Sequence, residues 1–597
     1  MKTKPRKPAP AAPPVAAKSS RWQICALGAL AGLIAVFWAY GPAMNGALVF
    51  DDNFLPFAIS EQAALPLGAW LKGVRPLLMF TYWINARLSP TETYSYHVLN
   101  VLIHCLTAGL VFIIVRRLLG KTRGQTNLSQ GAAFAPRGQF RLSPDPSGQA
   151  TQVTLAGFAA ALFLLHPVQA EAVAYITGRS DALSSLFAFA AFALLLYRHD
   201  RPIAWPTVAA ILALFAAALL SKEQAIALPA LLLLTDYWWN PGFSFQGIRA
   251  NWRLYAPLVL GALAGVVLFW RSIINSRTAG FGLKDFTWYQ YFFTQCRALF
   301  VYLREFILPV NLTADWDFPI SRSILDRGAI FGLAALLALS AAAWHYRRRF
   351  PLATFGWFAF LVLMAPTSSI LPIQDPVAER RLYFAMPGLL LILVDALSRL
   401  RVDRKVLAAA CLVVLLAAAT ATHARASVWA DPLAFWEDAV LKSPNKFRDR
   451  FYLGFTYYHA GSFQQAITQF EKSARLQPPT YDLLVDWGMA YANLNQPDQA
   501  LDKLYRAADL KPSGVVWVDI ATVYANRSDW RKALGALDTA QQIEPSFPET
   551  YVNRGKIFLA LHQLDAAVRE LQHARVLDPT NEDARTYLLR ALQEQRR

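Results

Sequence analysis

Apolar residues gather into long runs along roughly the first 425 residues, such as VAAILALFAAALL and VLAAACLVVLLAAATA, with short polar loops between them. A helix needs about 20 apolar residues to cross a hydrocarbon core of about 30 Å. The pattern predicts eleven membrane helices, at residues 23–43, 97–117, 153–167, 180–197, 203–220, 224–239, 254–270, 329–345, 353–370, 383–399 and 405–422. From about residue 445 onward such runs stop.

Two further apolar segments fit a spanning helix less well. RPLLMFTYWINAR is too short and is bracketed by Arg75 and Arg87, so we place it at the membrane surface. Residues 288–308 remain ambiguous because three charged residues, Arg297, Arg304 and Glu305, interrupt the run.

The basic residues between the predicted helices indicate an orientation. Residues 1–22 are basic and rich in Pro and Ala, which favours a cytoplasmic tail before a retained anchor; a signal peptide is the competing interpretation. With this tail inside, the cytoplasmic loops hold Arg116, Arg117, Lys121 and Arg123, then Arg198 and Arg201, then Arg249 and Arg253, then Arg347 to Arg349, then Arg399, Arg401, Arg404 and Lys405. Eleven spans then put the C-terminal part outside the cytoplasm. Residues 121–150, rich in Gly, Pro and Ser, are predicted to form a disordered cytoplasmic loop.

Composition agrees with a membrane protein, since 55% of the 597 residues are hydrophobic. The net charge of +18 is explained by membrane orientation, because Lys and Arg form no single stripe interleaved with aromatics, and we expect no nucleic-acid partner. The four cysteines have no metal-like spacing and predict no disulfide framework: Cys25, Cys105, Cys296 and Cys411.

Residues 430–597 carry a repeat of about 34 residues, the length of one tetratricopeptide helix pair. Small residues and prolines recur in register at Gly454, Gly488 and Gly555, at Ala466, Ala500, Ala533 and Ala567, and at Pro478, Pro512, Pro545 and Pro579. A partial unit ends at Pro444, and the tail EDARTYLLRALQEQRR predicts a capping helix. The fold class is therefore all-α: a polytopic membrane domain over residues 23–425, then an α-solenoid. Its concave surface predicts a protein or peptide partner, with a spacer or dimerisation element as the alternative.

Ionisable residues meet on the predicted outer face, where four loops deliver them. They are Asp51 and Asp52; His166, Glu171, Arg179 and Asp181; Lys222 and Glu223; and Glu379, Arg380 and Arg381. Each has a structural alternative: a helix cap, an interfacial ion pair, headgroup contacts or a hydrogen-bonded loop histidine. Together they suit group transfer from a phosphate-bearing lipid, since a carboxylate can take a proton from a hydroxyl and cations can hold the phosphate.

Several stretches resemble one family: FDD, RPLLMFTYWIN, YSYHVLNVLIHCL, HPVQAEAVAYITGRSDALSSLF, SKEQAIALPALLLLTD and VAERRLY. They are similar to the membrane half of the transmembrane and tetratricopeptide-repeat O-mannosyltransferases and their bacterial relatives, which are similar to the GT-C glycosyltransferases. The resemblance implies a polyprenyl-phosphate-linked sugar as donor and a catalytic acidic residue in the first outer loop. It assigns catalysis to Asp52, or Asp51, with Glu171 as a second acid. His166, Arg179, Lys222, Glu223, Arg380 and Arg381 become substrate-binding residues.

Two hypotheses follow for the whole chain. The first is a glycosyltransferase embedded in the lipid bilayer of a bacterial inner membrane, whose periplasmic repeats recruit a protein acceptor. In a variant of this hypothesis the acceptor is a glycan or a lipid. No cofactor is dictated, and a divalent metal ion is compatible with the chemistry but no metal ligands are assigned. The second is a non-enzymatic membrane scaffold whose repeats assemble an envelope or pilus complex.

Overall fold

The computed structural model describes residues 19–90, 92–131, 146–197, 202–240, 242–275 and 279–596. The fold is all-α: within these ranges the helices are joined by loops and no β-strand is formed. The chain divides into two compact units at residue 431, and each is described by itself.

The first unit contains seventeen α-helices in its described part. They are α1 (Ser19–Tyr40), α2 (Ser60–Ala63), α3 (Leu67–Trp70), α4 (Pro76–Leu88), α5 (Tyr94–Gly131), α6 (Pro146–Leu165), α7 (Ala170–Ala174), α8 (Arg179–Tyr197), α9 (Trp205–Leu219), α10 (Leu228–Trp239), α11 (Gln246–Ala250), α12 (Trp252–Asn275), α13 (Trp288–Ile307), α14 (Ala329–His345), α15 (Pro351–Met364), α16 (Arg381–Arg399) and α17 (Arg404–Val428). Short 3₁₀ helices include Phe50–Phe54, Pro167–Gln169 and Glu223–Ala227.

The number of predicted membrane helices is corrected by their lengths. Six helices in the described residues are long and apolar enough to cross a membrane: Ala26–Ala43, Tyr94–Thr122, Arg179–Tyr197, Asp326–His345, Arg381–Arg399 and Arg404–Val428. A seventh arises if the bent pair Thr151–Leu165 and Pro167–Ala174 counts as one span. α9 and α15 have only 15 and 14 residues, and α10 has 12 because a 3₁₀ turn takes up the start of its predicted range. At 1.5 Å per residue, 15 residues reach only about 22 Å.

Apolar side chains on the outside of the first unit identify it as a membrane protein. Leu27 on α1, Phe331 on α14 and Val413 on α17 are each more than 60% exposed. In the apolar stretch that makes α14 a candidate span, only 6% of the residues are buried inside the protein, and in that of α17 only 11% are. Apolar faces of this extent are not stable in water, so lipid must cover them.

Close helix contacts hold the centre of this unit together. α15 and α16 approach at Gly356 and Gly388, where a Cβ added to either glycine would lie within 2.6 Å of the other's carbonyl oxygen. Small residues allow such approaches in membrane helices, whose packing lacks a hydrophobic driving force.

The predicted disordered loop 121–150 is partly helical. α5 continues to Gly131 and α6 begins at Pro146, because Lys, Arg, Gln and Leu in this stretch are compatible with a continuing helix. Residues 132–145 lie outside the described ranges, as do residues 1–18 of the predicted tail.

The described cysteines Cys105, Cys296 and Cys411 are free thiols.

The second unit is a row of helix pairs. Its helices are α18 (Pro432–Lys442), α19 (Phe447–His459), α20 (Phe463–Leu476), α21 (Tyr481–Asn493), α22 (Pro497–Leu510), α23 (Gly514–Asn526), α24 (Trp530–Ile543), α25 (Pro548–Ala560), α26 (Leu564–Leu577) and α27 (Glu582–Gln595). The pairs begin with α19–α20 and end with α25–α26, and α18 and α27 flank them.

The repeat register explains why these pairs form. A Cβ added to Gly488 would lie 2.8 Å from Leu504, and one added to Gly454 would lie 2.6 Å from Phe470, so only a small residue fits there. The alanines at the small position of the second helices, Ala466, Ala500, Ala533 and Ala567, are fully buried. The tetratricopeptide pattern thus sets the packing of each pair.

Candidate active site

Asp52 lies in the 3₁₀ turn Phe50–Phe54, which follows α1. Its side chain is 1% exposed, whereas the neighbouring Asp51 is exposed. Phe50 begins this turn with a φ of +55°, a left-handed conformation that is uncommon for a bulky residue. Strained backbone of this kind concentrates at functional sites.

The loop between α7 and α8 holds both aspartates. The Thr177 amide and hydroxyl donate to Oδ1 of Asp52 over 2.9 and 2.5 Å. The Asp51 amide donates to the hydroxyl of Tyr175 over 2.9 Å. The buried Tyr175 ring packs against Phe50 and Trp429, with ring centroids 6.4 and 5.4 Å away.

The pKa of Asp52 is raised to about 7. Burial is the main cause, and the charge of Asp51 adds to it, whereas hydrogen bonding by Thr177 and by the Val49 main chain acts in the opposite direction. A carboxyl group with this pKa is half ionised near neutral pH, which suits a general base.

A buried polar network around Asn100 and Arg179 holds the α7–α8 loop in place. The Asn100 side chain donates to the carbonyl oxygens of Val173 and Tyr175 over 3.2 and 3.1 Å. Its own oxygen accepts from Nε of Arg179 over 2.7 Å. Arg179 is fully buried, and its remaining donors reach Thr81, Asn85 and the Tyr96 carbonyl. Arg179 is thus bound on all sides by protein.

Gly178 allows the loop to turn tightly onto α7. A Cβ at this position would lie 2.6 Å from the Glu171 carbonyl oxygen and 2.8 Å from that of Ala172. Contacts under 3.0 Å require the backbone to shift, so the turn depends on glycine.

Glu171 and Arg380 form the first of three ion pairs around this loop. One carboxylate oxygen of Glu171 accepts from the Arg380 guanidinium, and the other accepts from the Arg380 main-chain amide over 2.8 Å. Glu171 is 1% exposed, while 30% of the Arg380 side chain is exposed. Burial by itself lowers the pKa of Arg380, but Glu171 and Asp181 raise it above its ordinary value.

The second pair joins Lys222 to Asp181, with Nζ and Oδ2 2.5 Å apart. Asp181 is fully buried, and 15% of the Lys222 side chain is exposed. The pKa of Lys222 is lowered to about 8, mainly by burial, and Arg380 and Arg75 lower it further while Asp181 raises it. Lys222 therefore lies within electrostatic reach of both arginines.

The third pair is bidentate. Nε and a terminal nitrogen of Arg75 donate to the two carboxylate oxygens of Glu223 over 2.9 and 2.8 Å. Burial raises the pKa of Glu223, but the hydrogen bonds and charge of Arg75 lower it overall. The sequence offered no specific signal for Arg75 beyond its place before an interfacial helix.

Two of the other predicted residues face protein groups. Arg381 donates to the Thr367 and Pro376 carbonyl oxygens over 3.2 and 2.7 Å, and also to that of Asp375. His166 meets the Phe306 carbonyl at 3.1 Å and accepts from the Val168 amide over 3.3 Å.

Two carboxylates lie fully buried near Glu171, on other elements. They are Glu305 on α13 and Glu379 before α16. Burial raises the pKa of Glu305 to about 8 and that of Glu379 well above its ordinary value, and the charge of Glu171 contributes to both. Arg425 lies 3.8 Å from Glu379 and opposes the shift.

The structure thus gathers residues from five segments around the α7–α8 loop. We call this group of side chains the ionic cluster. Its members are Asp52, Arg75, Glu171, Thr177, Asp181, Lys222, Glu223 and Arg380. The sequence predicted Asp52, Glu171, Lys222, Glu223 and Arg380 as site residues. Tyr175, Thr177 and Arg75 were not among the sequence-based candidates. In the described ranges no three His, Cys, Asp or Glu side chains converge as metal ligands.

Comparison with known proteins gives distant relatives. The chain is 24% identical over 598 residues to protein O-mannosyl-transferase TMTC3 of Homo sapiens, covering 90% of this chain and 60% of the relative. It is 24% identical over 460 residues to protein O-mannosyl-transferase F38B6.6 of Caenorhabditis elegans, covering 73% and 58%. The chain therefore spans about 60% of the length of these relatives. No protein-family model matches it.

Solved structures of tetratricopeptide-repeat proteins are similar to part of the chain. YrrB, a tetratricopeptide-repeat protein with an unusual peptide-binding site, is 23% identical with a TM-score of 0.23, covering 27% of this chain and 81% of that one. The thermophilic tetratricopeptide-repeat protein TTC0263 of Thermus thermophilus is 22% identical with a TM-score of 0.25, covering 30% and 96%.

Proposed function

We propose that this chain is a membrane glycosyltransferase that moves a sugar from a polyprenyl-phosphate carrier to a protein hydroxyl on the extracytoplasmic side. The observation that carries the proposal is the buried Asp52 carboxylate, with its pKa of about 7, on the same loop framework as three partly exposed cations. Tyr175 lies within electrostatic reach of both Asp52 and Arg380, and Tyr82 within reach of both Asp52 and Arg75. The similarity to proteins named O-mannosyl-transferases supports the reaction class.

Asp52 acts as the general base. It takes the proton of the acceptor hydroxyl, and the hydroxyl oxygen forms a bond to the anomeric carbon of the sugar as the bond from that carbon to the phosphate oxygen breaks. The lipid phosphate leaves with the bonding electron pair. Because Asp52 is the more enclosed of the two adjacent aspartates, we assign the base to it and leave Asp51 at the rim of the site.

Arg75, Lys222 and Arg380 bind the donor phosphate. Each is held by one carboxylate, Glu223, Asp181 or Glu171, and each keeps part of its side chain exposed. Prepositioned cations stabilise charge that develops on a leaving phosphate without reorganising during the reaction. Arg179 and Arg381 donate their hydrogen bonds to oxygens within this chain, so in this scheme they position loops and do not bind the donor.

The repeats recruit the acceptor protein. Stacked helix pairs present an extended concave surface, a shape that repeat proteins use for binding. In this scheme the repeats are extracytoplasmic, which requires an odd number of spans such as the count of seven with the bent pair as one span, and the membrane is a bacterial inner membrane.

The test is transfer by the purified full chain in lipid nanodiscs. Polyprenyl-phosphate-linked mannose is the first donor, because mannose is the sugar in the relatives' names, and other hexoses follow. The expected products are a hexose on Ser or Thr of an acceptor protein, seen by mass spectrometry, and released lipid phosphate. A folded chain that makes neither product from any of these donors would overturn the proposal in favour of a scaffold.

A further inference from the structure

We propose that Thr177 is a positioning residue that dedicates one oxygen of Asp52 to structure and leaves the other, Oδ2, to accept the proton. This inference rests on the proposed function, since it concerns the base of that reaction. It assigns a role to a threonine that the sequence did not single out.

The hydrogen bonds of Thr177 carry the inference. Both the amide and the hydroxyl of Thr177 donate to the same atom, Oδ1 of Asp52, over 2.9 and 2.5 Å. A carboxylate oxygen that already accepts two hydrogen bonds is the poorer site for a proton. The two oxygens of Asp52 are therefore not equivalent.

Thr177 can direct Asp52 because its own backbone is fixed. Asn100 donates to the carbonyl oxygens of Tyr175 and Ile176 over 3.1 and 3.4 Å, and the Tyr82 hydroxyl donates to that of Ile176 over 3.0 Å. On the other side, Gly178 packs against the carbonyl of Glu171. Rigid neighbours of this kind hold a catalytic group in its productive geometry.

The hydroxyl of Thr177 also favours the ionised form of Asp52. The other groups that face this carboxylate are Asp51 on the same turn, Tyr82 on α4, Tyr175 on the α7–α8 loop and Arg179 at the start of α8. Replacing Thr177 leaves Asp51, Tyr82 and Arg179 in place, and it removes a side-chain hydrogen bond to Tyr175 together with the one to Asp52. Loss of the hydroxyl alone should therefore move the acidic limb of the pH–rate profile toward higher pH.

The experiment compares Thr177→Val with Thr177→Ser in the full chain. Thr177→Val keeps the amide donor and removes the hydroxyl. The apparent pKa of the acidic limb of the kcat/KM profile should therefore rise by roughly one pH unit. Thr177→Ser restores the donor and should keep the wild-type profile. The matched control is Thr354→Val on α15, because the hydroxyl of Thr354 donates to the nearby carbonyl oxygens of Phe350 and Pro351. An unchanged limb in an active Thr177→Val variant would overturn the inference.

A second measurement does not depend on activity. Infrared difference titration of the full chain follows the Asp52 carboxyl, assigned by its loss in Asp52→Asn, and should show the same upward shift in Thr177→Val. If Thr177→Val does not fold, Thr177→Cys, a weaker donor of similar size, should give an intermediate shift. If no variant transfers sugar while the infrared shift is present, the proposed function fails and the pairing stands; if transfer needs Asp52 but neither readout moves, the inference fails.

Discussion

Glu171 binds Arg380 through both of its carboxylate oxygens, one accepting from the guanidinium and the other from the main-chain amide over 2.8 Å. This pairing fixes the backbone and the side chain of Arg380 at once. Since 30% of the Arg380 side chain remains exposed, the cation is oriented by protein and still open to a ligand.

Replacing Arg380 should weaken donor binding. Arg380→Gln removes one of the three cations and leaves Glu171 buried without its guanidinium partner, so the KM for the lipid-linked sugar should rise roughly tenfold or more. Arg348→Gln is the matched control, because Arg348 is exposed in a predicted cytoplasmic loop. Steady-state kinetics in nanodiscs give both constants, and equal KM values for the two variants would contradict a donor role for Arg380.

Adding one methyl group at Gly178 should disrupt the site without touching an ionisable group. In Gly178→Ala the new Cβ would lie 2.6 Å from the Glu171 carbonyl oxygen, so the loop that carries Thr177 must move. We expect transfer to fall by roughly 10²-fold, since small misplacements of catalytic groups have effects of this size. Gly109→Ala on α5 meets nothing within 4 Å and should retain activity.

Neutralising Asp52 should stabilise the protein at alkaline pH. The folded pKa of about 7 lies above the ordinary value near 4, so the stability that this group contributes is fully present below about pH 4 and is lost as pH rises through 7. Asp52→Asn should therefore raise the melting temperature at pH 8 and change it little at pH 4. Thermal scans at the two pH values test this, and a lower melting temperature at pH 8 would contradict a buried carboxylate at this position.

The role of the repeats is tested by crowding one helix pair. Gly488→Leu places a side chain where even a Cβ would lie 2.8 Å from Leu504, whereas Gly535→Leu adds the same side chain at a position open for 4 Å. We expect Gly488→Leu to lower transfer to a protein acceptor and to spare transfer to a short hydroxyl-bearing peptide. If both acceptors respond equally to Gly488→Leu, the repeats do not act in acceptor recruitment.

Parts of this architecture are readable from the sequence because they depend on local periodicity. The repeat register places Gly488 and Ala500 by chain spacing alone, and the structure buries Ala500 fully. The apolar runs also give helices, but not every predicted run gives one long and apolar enough to span a membrane by itself. α9 and α15 are mostly apolar yet have only 15 and 14 residues, too few to cross a bilayer unaided. Their length is known only from where the structure begins and ends each helix.

The cluster itself could be predicted only in outline. Charged residues beside apolar runs indicate a site, but their pairing depends on long-range contacts, such as Arg75 with Glu223, 148 positions apart. Thr177 and Tyr175 lie in a stretch that resembles the family, but they carry no charge, so their residue types alone do not single them out as site residues. Arg179 illustrates the converse, because its charge suggests ligand binding and its hydrogen bonds all end on protein.

Single-turnover transfer by Asp52→Asn is the most direct test that Asp52 is the base. The full chain in nanodiscs is loaded with lipid-linked sugar, and donor binding is measured separately. The control variant is Asp51→Asn, which replaces the exposed aspartate next to Asp52. We predict that Asp52→Asn binds donor normally and transfers sugar roughly 10²- to 10⁴-fold more slowly, while Asp51→Asn stays close to wild type. Wild-type transfer by a folded Asp52→Asn chain would contradict the account.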